Sequence, residues 1–137
     1  MECDDGRIRP VFRAEMLGGD GVWREIELLV DTGADSTVIC AQALTNSNLQ
    51  LLPGNPIGGI GGVVETVSVQ TKLRLMGGEG RQATFRGTYT AYTHAENLDL
   101  SILGRDILDM FVLIVDRRSN VVAIIGQDHT YTIHQRR

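Results

Sequence analysis

The strongest constraint on the 137-residue chain is a period of two. Val67, Val69, Thr71, Leu73 and Leu75 fall on one side of an extended segment, and Ser68, Gln70, Lys72 and Arg74 on the other. Such alternation gives an apolar face only if the backbone is a strand. Gly77-Gly78-Glu79-Gly80 then turns the chain, and Ala83, Phe85, Gly87, Tyr89 and Ala91 alternate with polar neighbours. The two segments predict an antiparallel pair. Residues 8–16 and 22–30 read the same way around the turn Gly18-Gly19-Asp20-Gly21, and Trp23 is assigned no function. Residues 37–40, 100–103, 111–115 and 121–125 are further short apolar runs. Residues 41–44 suit a short helix and 105–110 one or two helical turns, and Tyr131 and Ile133 suit a last short strand. The expectation is one all-β domain over residues 1–137 with little helix, its main piece a short helix near the C-terminus.

Composition narrows the class. Apolar residues are 42% and charged residues 22%, an ordinary globular balance rather than a disordered one. Net charge is −4, which argues against a nucleic-acid footprint. The two cysteines, Cys3 and Cys40, form neither a disulfide framework nor a CxxC metal pattern, so two free thiols are expected. The acidic start lacks the apolar stretch of a signal peptide, and no apolar run is long enough to cross a bilayer. A cytoplasmic protein without membrane or nucleic-acid partners is expected.

The chemistry concentrates in Leu28-Leu29-Val30-Asp31-Thr32-Gly33-Ala34-Asp35-Ser36-Thr37-Val38-Ile39. A carboxylate stands at the end of an aliphatic strand, inside a turn that Gly33 permits, with a second aliphatic strand just after. The flanks predict partial burial of Asp31, whose charged form then needs support. Asp-Thr-Gly is also an ordinary β-turn, with Asp accepting bonds from its own backbone. Peptide hydrolysis by carboxylates needs two that share one proton, because close like charges cannot both ionise. Only one Asp-Thr-Gly occurs, and no Asp-Ser-Gly, so one chain holds half of such a site.

The segment around Asp31-Thr32-Gly33 resembles that of the retropepsins, the single-domain aspartic proteases of retroviruses and their cellular and bacterial relatives. Two further segments resemble the family in the right order: Ile57-Gly58-Gly59-Ile60-Gly61-Gly62, similar to the flap tip, and Ile102-Leu103-Gly104-Arg105-Asp106-Ile107-Leu108, similar to the segment at the C-terminal helix. The resemblance implies a retropepsin-like acid protease fold, active as a symmetric homodimer with Asp31 of each copy at the two-fold axis. It implies that Thr32 and Gly33 form the active-site turn and its contact across the dimer. Gly33, Ala34 and Asp35, with Gly58, Gly59, Ile60 and Gly61 of the flap, would bind an extended peptide substrate. Arg105 would brace Asp35. In viral members the termini interleave in the dimer sheet; here the strand over residues 121–125 or the tail beyond Gly126 is the candidate for that role.

Other chemistries find little support. His94, His129 and His134 are scattered without an HExxH pattern, and Ser36, Ser68 and Ser101 lack a nucleophile elbow. The glycine-rich stretch does not open a helix with a following Lys-Ser/Thr, so it is no phosphate loop. The reading is an aspartic endopeptidase that needs no metal or organic cofactor. A dimeric peptide-binding or scaffolding module of the same fold, with little or no hydrolysis, is the alternative.

Overall fold

A computed structural model describes residues 8–54, 57–59, 62–64, 66–77, 80–94 and 100–126. Cys3, Ile60, Gly61, His129, Tyr131, Ile133 and His134 lie outside the described residues. In chain order the elements are β1 (Val11–Leu17), β2 (Trp23–Val30), β3 (Val38–Ile39), α1 (Ala41–Leu44), β4 (Leu52–Pro53), β5 (Ile57–Gly59) and β6 (Gly62–Val64). They continue with β7 (Thr66–Met76), β8 (Gln82–Tyr92), β9 (Ser101–Leu103), α2 (Arg105–Leu108), β10 (Val112–Asp116) and β11 (Val121–Ile125). Among the described residues the chain is mostly β, and the two helices are single turns.

The predicted long pair is present: β7 and β8 run antiparallel from Thr66↔Tyr92 to Met76↔Gln82. Their apolar sets point inward, with Val69, Leu73, Leu75, Tyr89 and Ala91 buried. β1 and β2 pair from Val11↔Leu29 to Leu17↔Trp23. The Asp20 carboxylate ties their turn, accepting from the Val22 amide at 3.1 Å and the Arg24 guanidinium at 2.6 Å. The Arg24 hydrogen bond, seconded by the amide, holds the Asp20 carboxyl well below the usual carboxylate range. Trp23 is half-buried; the Arg74 guanidinium lies 4.0 Å from its ring centre and bonds Glu15 at 2.9 Å. Cys40 is a free, buried thiol.

One sheet has the order β1-β2-β9-β3-β8-β7-β4, and β1 also pairs with β7 through Ala14↔Leu75 and Met16↔Leu73. Six strands therefore close into a ring. β7 has the length to serve two neighbours on one edge, β1 near its end and β4 near its start through Leu52↔Ser68. Closure removes open edges and gives the inward side chains a common interior. Met16, Leu28, Ile39, Val69, Leu73 and Leu103 fill it with almost no exposure. Two pairings in the ring are parallel, β2 with β9 and β3 with β8. Alternation in the sequence signals which face of a strand is apolar but not which distant strand lies beside it.

Tyr89 sits inside this ring at 6% exposure and donates its hydroxyl to the Phe85 carbonyl at 2.9 Å. Burial, then the nearby Asp106 charge, pushes its phenol up to about 12. The unfolded phenol titrates near 10. A raised folded value means that the phenol's contribution is complete below about pH 10 and is lost as pH rises through the folded value. Urea unfolding of the wild type should therefore show stability falling between about pH 10 and pH 12. Tyr89→Phe, which removes this ionisation, should show a smaller fall over that interval from a starting value about 1 kcal/mol lower.

Candidate active site

β2 and β9 lie side by side, in register from Leu28↔Ser101 to Val30↔Leu103, and both strands end at the same edge of the ring. The loops that leave them make the site. Asp31 is the first residue beyond β2, and its amide still donates to the Leu103 carbonyl at 3.1 Å. Its carboxylate Oδ1 accepts the Gly33 amide at 2.9 Å, and its carbonyl accepts the Ala34 amide at 3.2 Å. The ordinary turn chemistry of Asp-Thr-Gly is thus what orients Asp31. The turn leaves Asp31 and Ala34 half-buried, and Thr32, Gly33 and Asp35 exposed. A Cβ at Gly33 would stand 3.2 Å from that same carboxylate oxygen, so a glycine keeps the turn tight.

α2 begins directly after β9 and packs its first turn on this loop. The Arg105 amide donates to the Ala34 carbonyl at 2.9 Å, and the Asp106 amide to the Asp35 carbonyl at 3.2 Å. The Arg105 guanidinium donates to the Asp35 carboxylate. Both side chains are open to solvent, 50% and 82% exposed, and an exposed ion pair is worth at most about 1 kcal/mol.

The firmer tie lies one layer deeper. The Thr37 hydroxyl donates to Asp106 Oδ1 at 2.7 Å and accepts the Gly104 amide at 3.1 Å. Asp106 Oδ2 accepts the Thr37 amide at 3.0 Å. Thr37 is 1% exposed and Gly104 is buried, so the hydroxyl and the Gly104 amide have no water to fall back on, whereas Asp106 is itself exposed. A Cβ at Gly104 would come within 2.4 Å of the Ser36 carbonyl carbon. Only glycine lets the two loops pass so closely. Below them the buried Ser101 hydroxyl accepts the Cys40 amide at 3.0 Å, fastening β3 to β9.

Sequence reasoning missed Thr37, Ser101 and the carboxylate of Asp106 as supports of this site. A signal was present: Thr37 heads a run that is otherwise apolar, and Asp106 opens a helix. The glycine-rich stretch forms a separate two-stranded sheet, β5 with β6, in the register Ile57↔Val64, Gly58↔Val63 and Gly59↔Gly62. Gly58 and Gly59 lie on β5, and the tip residues Ile60 and Gly61 fall outside the described residues. Among the described residues no His, Cys, Asp and Glu side chains group as metal ligands would.

A ring of short strands with an Asp-Thr-Gly turn laced to a Gly-Arg-Asp loop is the architecture of single-domain aspartic proteases. The family model for the retroviral aspartyl protease matches residues 7–115, and the chain belongs to that family. Among solved structures, the EIAV protease complexed with the inhibitor HBY-793 is similar with a TM-score of 0.56 at 28% identity, over 74% of this chain and 86% of that one. A retropepsin-like aspartic protease from Rickettsia conorii shares the fold, with a TM-score of 0.52 at 20% identity over 90% of this chain and 93% of that one. No curated protein sequence gives a match.

The buried tie makes a graded prediction. Thr37→Val removes both hydroxyl bonds and strands the Gly104 amide, and should cost about 2–3 kcal/mol in denaturant unfolding. Thr37→Ser keeps both bonds and loses a methyl group, and should cost about 1 kcal/mol or less. Gly104→Ala should be at least as damaging as Thr37→Val, because the contact it creates is with backbone that has nowhere to move.

Proposed function

We propose that the protein is an aspartic endopeptidase whose catalytic pair is Asp31 and Asp31 of a second copy. The observation that carries this reading is a half-buried carboxylate, held by its own turn at the joint end of β2 and β9, in a chain of this family with a single Asp-Thr-Gly. Two copies related by a two-fold axis would set the carboxylates opposite each other.

The pair holds one proton. The unprotonated carboxylate takes a proton from water as the water oxygen attacks the scissile carbonyl carbon. The other carboxyl gives its proton to the carbonyl oxygen, which yields a neutral diol. The diol then collapses: a hydroxyl proton returns through the pair to the leaving nitrogen, and the C–N bond breaks. Products are a carboxylic acid and an amine, and one proton remains on the pair. The Gly33 carbonyl and the Asp35 backbone bind the substrate main chain. Gly58 and Gly59, with Ile60 and Gly61, cover it, in the manner of a strand added beside a peptide. Thr32 joins the two turns across the axis.

Asp31→Asn should lower cleavage of a peptide library by about 10²-fold or more. It should leave circular dichroism and sedimentation unchanged. Cleavage by purified Asp31→Asn at the wild-type rate would remove Asp31 from the mechanism. Binding without cleavage by the wild type would point to a scaffold instead. Specific activity of the wild type should also fall on dilution, since the site assembles from two chains.

A further inference from the structure

The ring is thinnest where β3 meets β8. β3 is two residues long and reaches only Thr90 and Ala91, near the far end of β8. Among the described residues no strand lies beside residues 82–88 of β8 on that side, while β7 covers the other. In an antiparallel strand alternate amides point to opposite edges, so every second amide here faces the open one. An apolar groove of about 630 Å³ adjoins this edge at the mouth of the ring. Phe12, Leu75 and Phe111 form its floor. Gln82 and Ala83 of β8 stand on one wall, and Gly126 stands on the other. Phe111 meets Phe85 edge to face, with ring centres 5.8 Å apart, so the floor runs on under β8. A strand edge beside an apolar groove suits an extended segment: the edge binds its backbone, and the groove takes every second side chain.

We propose that residues 127–137 of the same chain fill this groove, pairing as an added strand with the open edge of β8 and turning Tyr131 and Ile133 onto the apolar floor. Gly126 is part of the groove's wall, so the segment sets out from its own docking site. Residues 127–130, when extended, give Tyr131 a reach of about 13 Å toward the opposite wall. Thr130, Tyr131, Thr132 and Ile133 are all strand formers. Their alternation puts the two apolar side chains on one face and the two threonines on the other. Tethering also holds this segment at a local concentration of millimolar order, which a separate peptide in dilute solution does not match. Residues 1–7 suit the groove less, since they bring Glu2, Asp4 and Asp5 and no aromatic or β-branched side chain. The inference asks nothing of Asp31 and stands whether or not the chain cuts peptides.

Amide hydrogen exchange of the full chain, resolved residue by residue by NMR, tests it. Within residues 82–88 the amides that face β7 are protected in any case; the alternate ones should be protected too in the wild type. Tyr131→Asp together with Ile133→Asp sets two charges against an apolar floor. Exchange at the alternate amides should then become at least about tenfold faster, with the β7-facing amides unchanged. Nuclear Overhauser contacts between the Tyr131 and Phe111 rings of the wild type give a reading that needs no variant, should the double substitution fail to fold. Fast exchange at the alternate amides of the wild type, exchange indifferent to the double substitution, or no contact between the two rings overturns the proposal. Protection that rises with protein concentration overturns it as well, because the segment then comes from another copy.

Discussion

One threonine hydroxyl holds the candidate site together. Thr37 gives its proton to Asp106 and takes that of the Gly104 amide, so the loop after β2 and the loop after β9 share a buried knot. The Arg105–Asp35 pair draws the eye first, being a guanidinium against a carboxylate beside the Asp-Thr-Gly turn. Its solvent exposure makes it the weaker of the two supports. Loss of the hydroxyl leaves the buried Gly104 amide unpartnered, whereas loss of a surface pair returns both charges to water. The position of Asp31 thus rests first on the neutral and charge-assisted bonds at Thr37, with the surface pair as a supplement.

The fold was legible where one strand's pattern decides the outcome. The alternation in residues 67–75 and 83–91 needed only a turn between them, and β7 with β8 follows it closely. The three segments that resemble the retropepsins lie along the chain in the family's order, and the family and its fold stand on the comparisons. What stayed hidden was partnership at a distance. Nothing local in Leu28, Leu29 or Val30 says that Ser101, Ile102 and Leu103 run parallel beside them. For the same reason Thr37 looked like an ordinary strand residue. Its role exists only once Asp106 and Gly104 arrive from another part of the chain. The carboxylate at Asp31 could be singled out early because its turn is local, and the supports around it could not because they are not.

Among the described residues two hairpins stand apart from the ring, and their compositions differ. β5 and β6 are rich in glycine, which suits a segment that must lie close to another backbone. β10 and β11 are almost wholly aliphatic, and one face of the pair packs on the core. A two-stranded sheet alone in water is marginal. The first hairpin continues into the long strand β7, and the second leans on the core through Leu113, Val122 and Ile124.

The knot at Thr37 also orders events during synthesis. Its partners are separated by 69 residues, and β9, which aligns the loops, is made only just before Asp106. A ribosome releases the Asp-Thr-Gly segment well before Gly104 and Asp106, so its local turn bonds form long before the tie at Thr37 can. Non-local closures of this kind are slow to form. A chain that stops short of Gly104 and Asp106 carries the Asp-Thr-Gly turn without the groups that fasten its loop.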